Sequence, residues 1–422
     1  MMNKIIIKAC SEILKEHFLH SGPADRQLSI FFKNNRHLGS HDRSELSELY
    51  YGVIRNRRYL IENINEENPR KLVLIYMMLV LGKSIRELSN FIDDQDLTWL
   101  KEQKANKANI EGWASKLSMP DWLWENLLEQ YGEQSAISLA KSLLNPANLN
   151  LRVNLLKEKS ISKVVEDLII SFPDLKDKIS KTNISPICIS LPRGTSIQRD
   201  NLFLDGIIEV QDEGSQILSF LVNPKRGSMV ADFCAGAGGK TLALSAMMKN
   251  TGRLYAFDVS DNRLANLKKR LKRSGASNIV SHKIIHENDT KIKRLREKFD
   301  RVLVDAPCTG LGTLRRNPDL KWKHSLESVE QLNLKQRLII NAASKLCKVG
   351  GYLVYATCSL LKQENELIVE NFLLENKNFR VFPPEPILIK YDIPLKSDKY
   401  IKLRPDEHKT DAFFAAILER FE

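Results

Sequence analysis

The sequence predicts an α/β protein. An open, mostly parallel sheet with helices on both faces fills the second half of the chain, after an all-helical region and a small α+β insert. Three observations predict this. From about Met229 onward strand-like runs alternate with helical ones, the pattern of a doubly covered sheet. Before about residue 148 no strand alternation occurs, and apolar residues recur at helical spacing. Asp232, Asp258, Asp305 and Thr357 each close a strand-like run, where such sheets build their ligand crevice. A chain of 422 residues has room for two or three domains. The expected parts are 1–135, helical; 136–205, the α+β insert; and 206–422, the large sheet.

In the helical part, Leu46, Leu49, Tyr50, Val53 and Ile54 share one helix face, with Ser40 and Asp42 as N-cap candidates. The longest apolar run, Leu72 to Leu81, is too short to span a bilayer and reads as a buried helix. Ser84-Ile-Arg-Glu87 is a capping box, Pro120 opens a helix and Gly132 closes it. Trp113, Trp122 and Trp124 are expected in the core.

At Asn145-Pro146 the pattern changes. Leu149, Leu151 and Val153 alternate with polar residues, a helical stretch covers 161–170, and short strands are expected near 187–191 and 207–210. Strands then follow over 229–233, 253–257, 301–304 and 352–356, with helices over 240–249, along Leu264, Leu267 and Leu271, and over 326–347.

Composition narrows the class. The chain is 43% hydrophobic and 27% charged, as soluble globular proteins are. Its 64 Lys and Arg against 52 Asp and Glu give a net charge of +12, which favours a polyanionic partner, nucleic acid before membrane. No signal peptide opens it. Six cysteines show no C-x-x-C spacing, so neither a metal site nor a disulfide framework is expected, and cytoplasmic thiols are.

Asp232-Phe-Cys-Ala-Gly-Ala-Gly-Gly-Lys-Thr241 joins a strand to a helix, and its glycines bare the helix N-terminal amides. A phosphate loop needs glycine where Cys234 stands, and a dinucleotide fingerprint needs one where Thr241 stands. The third reading is an S-adenosylmethionine site, with Asp258 closing the next strand beside the ribose. A nucleotide hydrolase built on Gly239-Lys240-Thr241 is the rival enzyme.

Cys10, Cys188 and Cys347 read as small buried hydrophobes, Cys347 on a helix face. Cys308 and Cys358 differ, because each follows a strand end. Carbon 5 of a pyrimidine is a poor nucleophile until a thiolate adds to carbon 6. One cysteine then attacks, a second group helps release, and Asp305 steadies the charge on the base. The thiolate also needs a local helper, which the sequence does not reveal.

At these residues the chain resembles the RsmB/Sun family of RNA 5-methylcytosine methyltransferases. The resemblance runs through the cofactor loop, through Asp305-Ala-Pro-Cys-Thr-Gly-Leu-Gly-Thr-Leu-Arg-Arg-Asn-Pro-Asp-Leu-Lys-Trp322, and through Tyr355-Ala-Thr-Cys-Ser359 with Glu364-Asn-Glu366. Gln211 to Gln216 and Asn145 to Asn154 match the segments before the catalytic domain, and the N-terminal part is similar to NusB-like RNA-binding domains. The resemblance implies a Rossmann-like class I methyltransferase sheet, S-adenosyl-L-methionine as cofactor, and cytosine methylation in structured RNA. By analogy that RNA is small-subunit rRNA before tRNA; a catalytically idle RNA-binding assembly factor is the other rival.

The resemblance also implies roles. Cys358 is the nucleophile, Cys308 assists release, and Asp305 lies between cofactor and base. Cys234, Ala235, Gly236, Ala237, Gly238, Gly239 and Lys240 contact the methionine part, Asp258 the ribose and Asp289 the adenine. Two departures stand out. Gly236-Ala237 replaces the family's common Ala-Pro, which is expected to alter loop rigidity more than ligand contacts. Lys409 and Ala412 stand where glycines are frequent, so His408 and Asp411 are left off the site. Arg315, Arg316, Lys321 and Lys323 are RNA candidates, as are Arg43, Arg55, Arg57 and Arg58. The basic helix around Arg263, Lys268, Lys269, Arg270, Lys272 and Arg273 reads as a solvated face. A monomer is expected, with no membrane partner.

Overall fold

The computed structural model describes residues 4–20, 22–106, 108–397 and 399–422. The chain divides into two compact units. One comprises residues 1–145 with 314–325, the other 146–313 with 326–422. The first division thus falls after Asn145, later than 135, and residues 146–205 belong to the same unit as the large sheet.

Among the described residues the first unit is helical, around a core that includes Ile6, Ile13, Tyr50, Leu72 and Met77. The apolar run forms the helix Pro69–Leu79, buried from Leu72 to Met77, while Val80 and Leu81 lie exposed beyond it. Ser84 and Glu87 form the capping box: Ser84 N donates to Glu87 Oε2 at 2.8 Å and Glu87 N to Ser84 Oγ at 3.2 Å. Ser40 is not a cap. The helix Ser40–Arg55 is preceded by Gly39, whose N–H donates to the Asp42 carboxylate at 3.1 Å. Trp124 is buried, but Trp113 is 37% exposed, with the ammonium groups of Lys116 and Lys141 over its ring.

The segment 314–325 is bound into this unit by its polar side chains. Lys321 Nζ donates to the carbonyls of Arg55 (2.7 Å) and Ser118 (2.5 Å), and Trp322 Nε1 to that of Ile54 (2.9 Å). Lys323 donates to Gly22 O and pairs with Asp319, which also accepts from Ala24 N. Lys321 is buried, and burial followed by the nearby Arg55 holds its pKa well below the ordinary lysine range.

In the second unit, β1 (Leu149–Val153), β2 (Ser180–Lys181), β3 (Cys188–Leu191) and β4 (Ile208–Val210) make an antiparallel sheet ordered β2-β3-β1-β4. Polar side chains tie it to the helix Glu213–Val222. Arg152 Nε donates to Gln211 Oε1 (2.7 Å), Glu213 Oε1 accepts Ile184 N and Ser185 N, and Gln216 bonds Ser185. The two segments that precede the large sheet thus meet through these side chains.

The large sheet contains β5 (Met229–Asp232), β6 (Arg253–Asp258), β7 (Ile279–Lys283), β8 (Phe299–Asp305), β9 (Cys347–Thr357), β10 (Phe379–Phe382), β11 (Ile401–Leu403) and β12 (Phe413–Arg420). Its order is β7-β6-β5-β8-β9-β12-β10, with β11 on β12. Strands β5 to β9 pair in parallel, and β12 runs antiparallel between β9 and β10. This is the Rossmann-like methyltransferase arrangement. Strand order reverses between β5 and β8, so the crevice opens at the ends of those strands. Cys347 is buried, but it begins a strand and does not lie on a helix. Among the described residues no helix is long and apolar enough to cross a membrane.

Candidate active site

The Gly-rich turn is shaped by two positive φ angles, +57° at Gly236 and +84° at Gly238, which L side chains rarely adopt. A Cβ on Gly238 would also stand 2.1 Å from Leu267 Cδ1, whereas one on Gly236 would meet nothing within 4 Å. One glycine lets the turn pack on the helix Asp261–Ser274; the other faces open space. Gly236 N donates to Asp258 Oδ2 at 2.8 Å, and Ser260 N to Oδ1 at 2.8 Å, so Asp258 is locked at the end of β6. The turn is braced where proline is missing: Arg270 Nη1 donates to Ala237 O at 3.0 Å. Glu209, itself buried, holds both Arg270 (2.9 Å) and Arg273 (2.7 Å). Those two arginines are therefore not part of a solvated face, whereas Lys268, Lys269 and Lys272 are exposed.

Lys240, at the start of the helix Gly239–Met247, donates to Asp305 Oδ2 at 2.7 Å. Burial opposes its charge, but Asp305 outweighs that and raises its pKa, and Cys358 adds to the same push. Lys240 is thus within electrostatic reach of the Cys358 thiol. Asp232 accepts the Thr241 hydroxyl at 2.7 Å; burial pushes its carboxyl up to about 7.

Cys308 and Cys358, on the loops after β8 and β9, bring their Sγ atoms to 3.5 Å. The hydrogen bond with Cys358, then burial, raises the Cys308 pKa well above the ordinary thiol value. Burial and that contact favour the neutral thiol form of Cys308. Gly312 fixes the two loops together: its N–H donates to Cys358 O (2.8 Å) and its carbonyl accepts from Ala412 N (2.9 Å). A Cβ there would lie 2.2 Å from Ala412 O.

The structure thus gathers Cys308, Cys358, Lys240 and Asp305 at adjoining strand ends, with Asp258 and the turn at the next. Cys234 is partly buried against the core below the turn, and burial, with Asp305, Asp232 and Asp258, raises its thiol pKa. Asp289 is less direct. It caps the short helix Thr290–Lys293, and both its oxygens are taken by the N–H groups of Lys291 (2.9 Å) and Ile285 (3.0 Å). Sequence reasoning placed Arg270 on a solvated face, carried Thr309 and Gly312 only as members of the 305–322 motif, and gave no role to Glu209 or to Gln336 behind the cysteines. Only the Glu364-Asn-Glu366 triplet, polar residues heading an apolar helix, signalled anything there.

The basic candidates fare unevenly. Lys321 and Lys323 are used inside the helical unit, as described above. Arg55 is buried with Nη2 on Arg315 O (3.0 Å), Arg57 pairs with Glu67, and Arg58 with Glu62 and Asp121. Arg55 is thus internal, whereas Arg57 and Arg58 are ion-paired but partly exposed.

Residues 219–419 match the family model of the 16S rRNA methyltransferase RsmB/F. The probable ribosomal RNA small subunit methyltransferase B of Synechocystis is 28% identical over 91% of this chain and 92% of its own. The mouse 28S rRNA (cytosine-C(5))-methyltransferase is 28% identical over 73% of this chain and 40% of its own. Among solved structures, a methyltransferase homologue from Pyrococcus horikoshii is 28% identical and superposes with a TM-score of 0.61, covering 73% of this chain and 97% of that one.

Proposed function

We propose that this chain, an S-adenosylmethionine-dependent RNA (cytosine-C5)-methyltransferase similar to the RsmB/F enzymes, acts on small-subunit (16S) rRNA through a covalent adduct between Cys358 and the target cytosine. The observation that carries the adduct is the pair of sulfurs 3.5 Å apart, beside the Lys240–Asp305 ion pair, at the ends of parallel strands. The ribosomal substrate rests on the relatives' names and on the helical unit, which in this reading holds RNA.

S-adenosylmethionine, when bound, supplies an electrophilic methyl group. Cys234 to Lys240 would hold its methionine end on the open side of Gly236, Asp258 would accept from the ribose hydroxyls and Asp289 would lie by the adenine. The Cys358 thiolate, stabilised by the Lys240 ammonium, adds through Sγ to carbon 6 of the cytosine. The π pair moves to carbon 5, which would take the methyl group as the sulfonium carbon–sulfur bond breaks and a neutral thioether leaves, while Asp305 hydrogen-bonds the base and the Lys240 ammonium paired with it offsets the negative charge. Carbon 5 then loses its proton to water, the double bond re-forms, and Cys358 departs as a thiolate that the Cys308 thiol stabilises by its hydrogen bond. The target base has to leave its stack to reach this site. In this reading the protein works as a cytoplasmic monomer.

The test is methyl transfer from labelled S-adenosylmethionine to unmodified total RNA, with nucleoside analysis and sizing. Label in 5-methylcytosine of small-subunit rRNA is expected. Label confined to tRNA overturns the substrate, and RNA binding without any label overturns the reaction.

A further inference from the structure

Behind the two cysteines lies a carboxylate with no exposure to solvent. Glu364 is 0% exposed. Its Oε1 accepts the Thr309 backbone N–H (2.9 Å) and Gln336 Nε2 (3.0 Å); its Oε2 accepts the hydroxyls of Thr309 (2.5 Å) and Ser359. Thr309 directly follows Cys308, and Ser359 directly follows Cys358. The two hydroxyls also touch each other at 3.2 Å, and Gln336 donates a second bond to Pro307 O at 3.0 Å. The carboxylate is aimed from behind by its own backbone, whose carbonyl accepts the buried Tyr355 hydroxyl at 2.8 Å.

Four donors are met by one buried carboxylate. Such a group is costly to bury unless every lone pair is used, so this arrangement is stable only with both loops seated on it. Nothing else in the chemistry described above needs a charge at this position, and Glu364 touches neither sulfur.

We propose that Glu364 is the positioning residue of the site, a clamp that fixes the Cys308 loop against the Cys358 loop and so sets the distance between their sulfurs. The proposal rests on the reading of those cysteines as nucleophile and release partner. Its consequence is specific: without the clamp Cys358 still attacks, but Cys308 is no longer placed to stabilise its departure. A displacement of about 1 Å in a reacting geometry costs on the order of a hundredfold in rate. The Glu364 charge also adds to the upward push on the Cys308 pKa that begins with its hydrogen bond to Cys358.

The test uses the full chain and two readouts. In the first, no RNA is needed. Diamide takes two electrons and two protons from a pair of thiols, and the Cys308–Cys358 disulfide is followed by alkylation and peptide mapping. The wild type is expected to cross-link quickly. E364Q, which keeps the shape and can donate to the hydroxyls it formerly accepted from, should stay within about threefold. E364A should be at least about tenfold slower, in keeping with a lost placement. If E364A fails to fold, the double variant Thr309→Val, Ser359→Ala removes the two hydroxyl donors and should slow cross-linking in the same direction. Cross-linking of E364A, or of the double variant, at the wild-type rate overturns the clamp.

The second readout is the RNA adduct. E364A should accumulate protein–RNA adduct with KM for S-adenosylmethionine within about twofold of wild type, whereas a general structural defect lowers adduct and turnover together. Equal loss of both overturns the positioning role. A wild-type chain that cross-links as expected yet methylates no RNA overturns the proposed function and leaves the clamp standing.

Discussion

Replacing Lys240 by Met removes one charge and leaves the chain's length and most of its packing. The ammonium lies 2.7 Å from Asp305 Oδ2 and about 6 Å from the Phe413 ring centroid (5.8 Å). Its side chain is 11% exposed, that of Asp305 31%. At an effective dielectric near 20 the gross attraction over that distance is about 6 kcal/mol, most of which offsets desolvation. Breaking a fully buried pair costs about 3–5 kcal/mol. Because water reaches Asp305 from one side, the expected loss here is about 2–3 kcal/mol. The thioether keeps a favourable contact with Phe413, so packing should contribute little.

The catalytic effect should be larger than the stability effect. Lys240 pairs with Asp305 and interacts electrostatically with the Cys358 thiol, so in the proposed mechanism its loss removes the charge that favours thiolate before attack. Removing one preorganised electrostatic partner of a reacting group costs on the order of 10²–10³ in rate. Urea unfolding followed by circular dichroism measures the first quantity, and single-turnover methyl transfer at saturating cofactor measures the second. K240M with wild-type transfer and a weakened cofactor affinity would falsify the role as helper and leave Lys240 a binding residue only.

Cys358→Ala is expected to abolish transfer and adduct while cofactor affinity, read by calorimetry, stays put; Cys308→Ala should instead accumulate adduct on denaturing gels, and adduct in the first variant means that the roles are reversed. Arg270→Ala frees Ala237 O and removes one of the two arginine ion pairs of the buried Glu209, so KM for S-adenosylmethionine should rise several-fold with kcat little changed; a fall in kcat alone refutes the brace. Lys409 holds φ at +61°, so Lys409→Gly should stabilise the fold by about 0.5–1 kcal/mol in urea melts, the left-handed penalty less the entropy of glycine, and a destabilised variant counts against the strain. Asp232 titrates near 7 when folded against an ordinary 3.8, so the native chain retains a proton that the unfolded chain releases, and stability falls as pH rises from about 4 to about 7. The three-unit gap is worth roughly 4 kcal/mol; Asp232→Asn should erase that part of the slope, and parallel wild-type and variant curves refute it.

How much of this the sequence discloses depends on whether a residue's job is local. The turn at 232–241, the strand-end acids and the two cysteine loops depend on neighbours within a few residues, and periodicity reaches them. Strands β7 and β10 to β12 escape for two different reasons. Ile279-Val-Ser-His-Lys283 is an edge strand with partly exposed positions, so its alternation is weak, whereas Phe413 to Leu418 is buried on both faces and has no period to detect. Basic residues mislead for the opposite reason. A lysine such as Lys321 looks like a phosphate contact in one dimension, but three dimensions give it two backbone carbonyls and no solvent.

The same distinction explains why the cysteines were legible and their support was not. A nucleophile has to be a particular atom at a strand end, and residue type together with place restricts the choice to Cys308 and Cys358. What sets the 3.5 Å between them is a carboxylate 56 residues from one and 6 from the other, joined through a threonine, a serine and a glutamine from another helix. Each of those side chains is ordinary on its own. Only their convergence on one buried charge is informative, and convergence is a property of the folded chain. It follows that variants at Glu364, Gly312 and Arg270 should impair the reaction without touching a reacting atom. Each should impair a different quantity: sulfur placement, loop closure and cofactor affinity in turn.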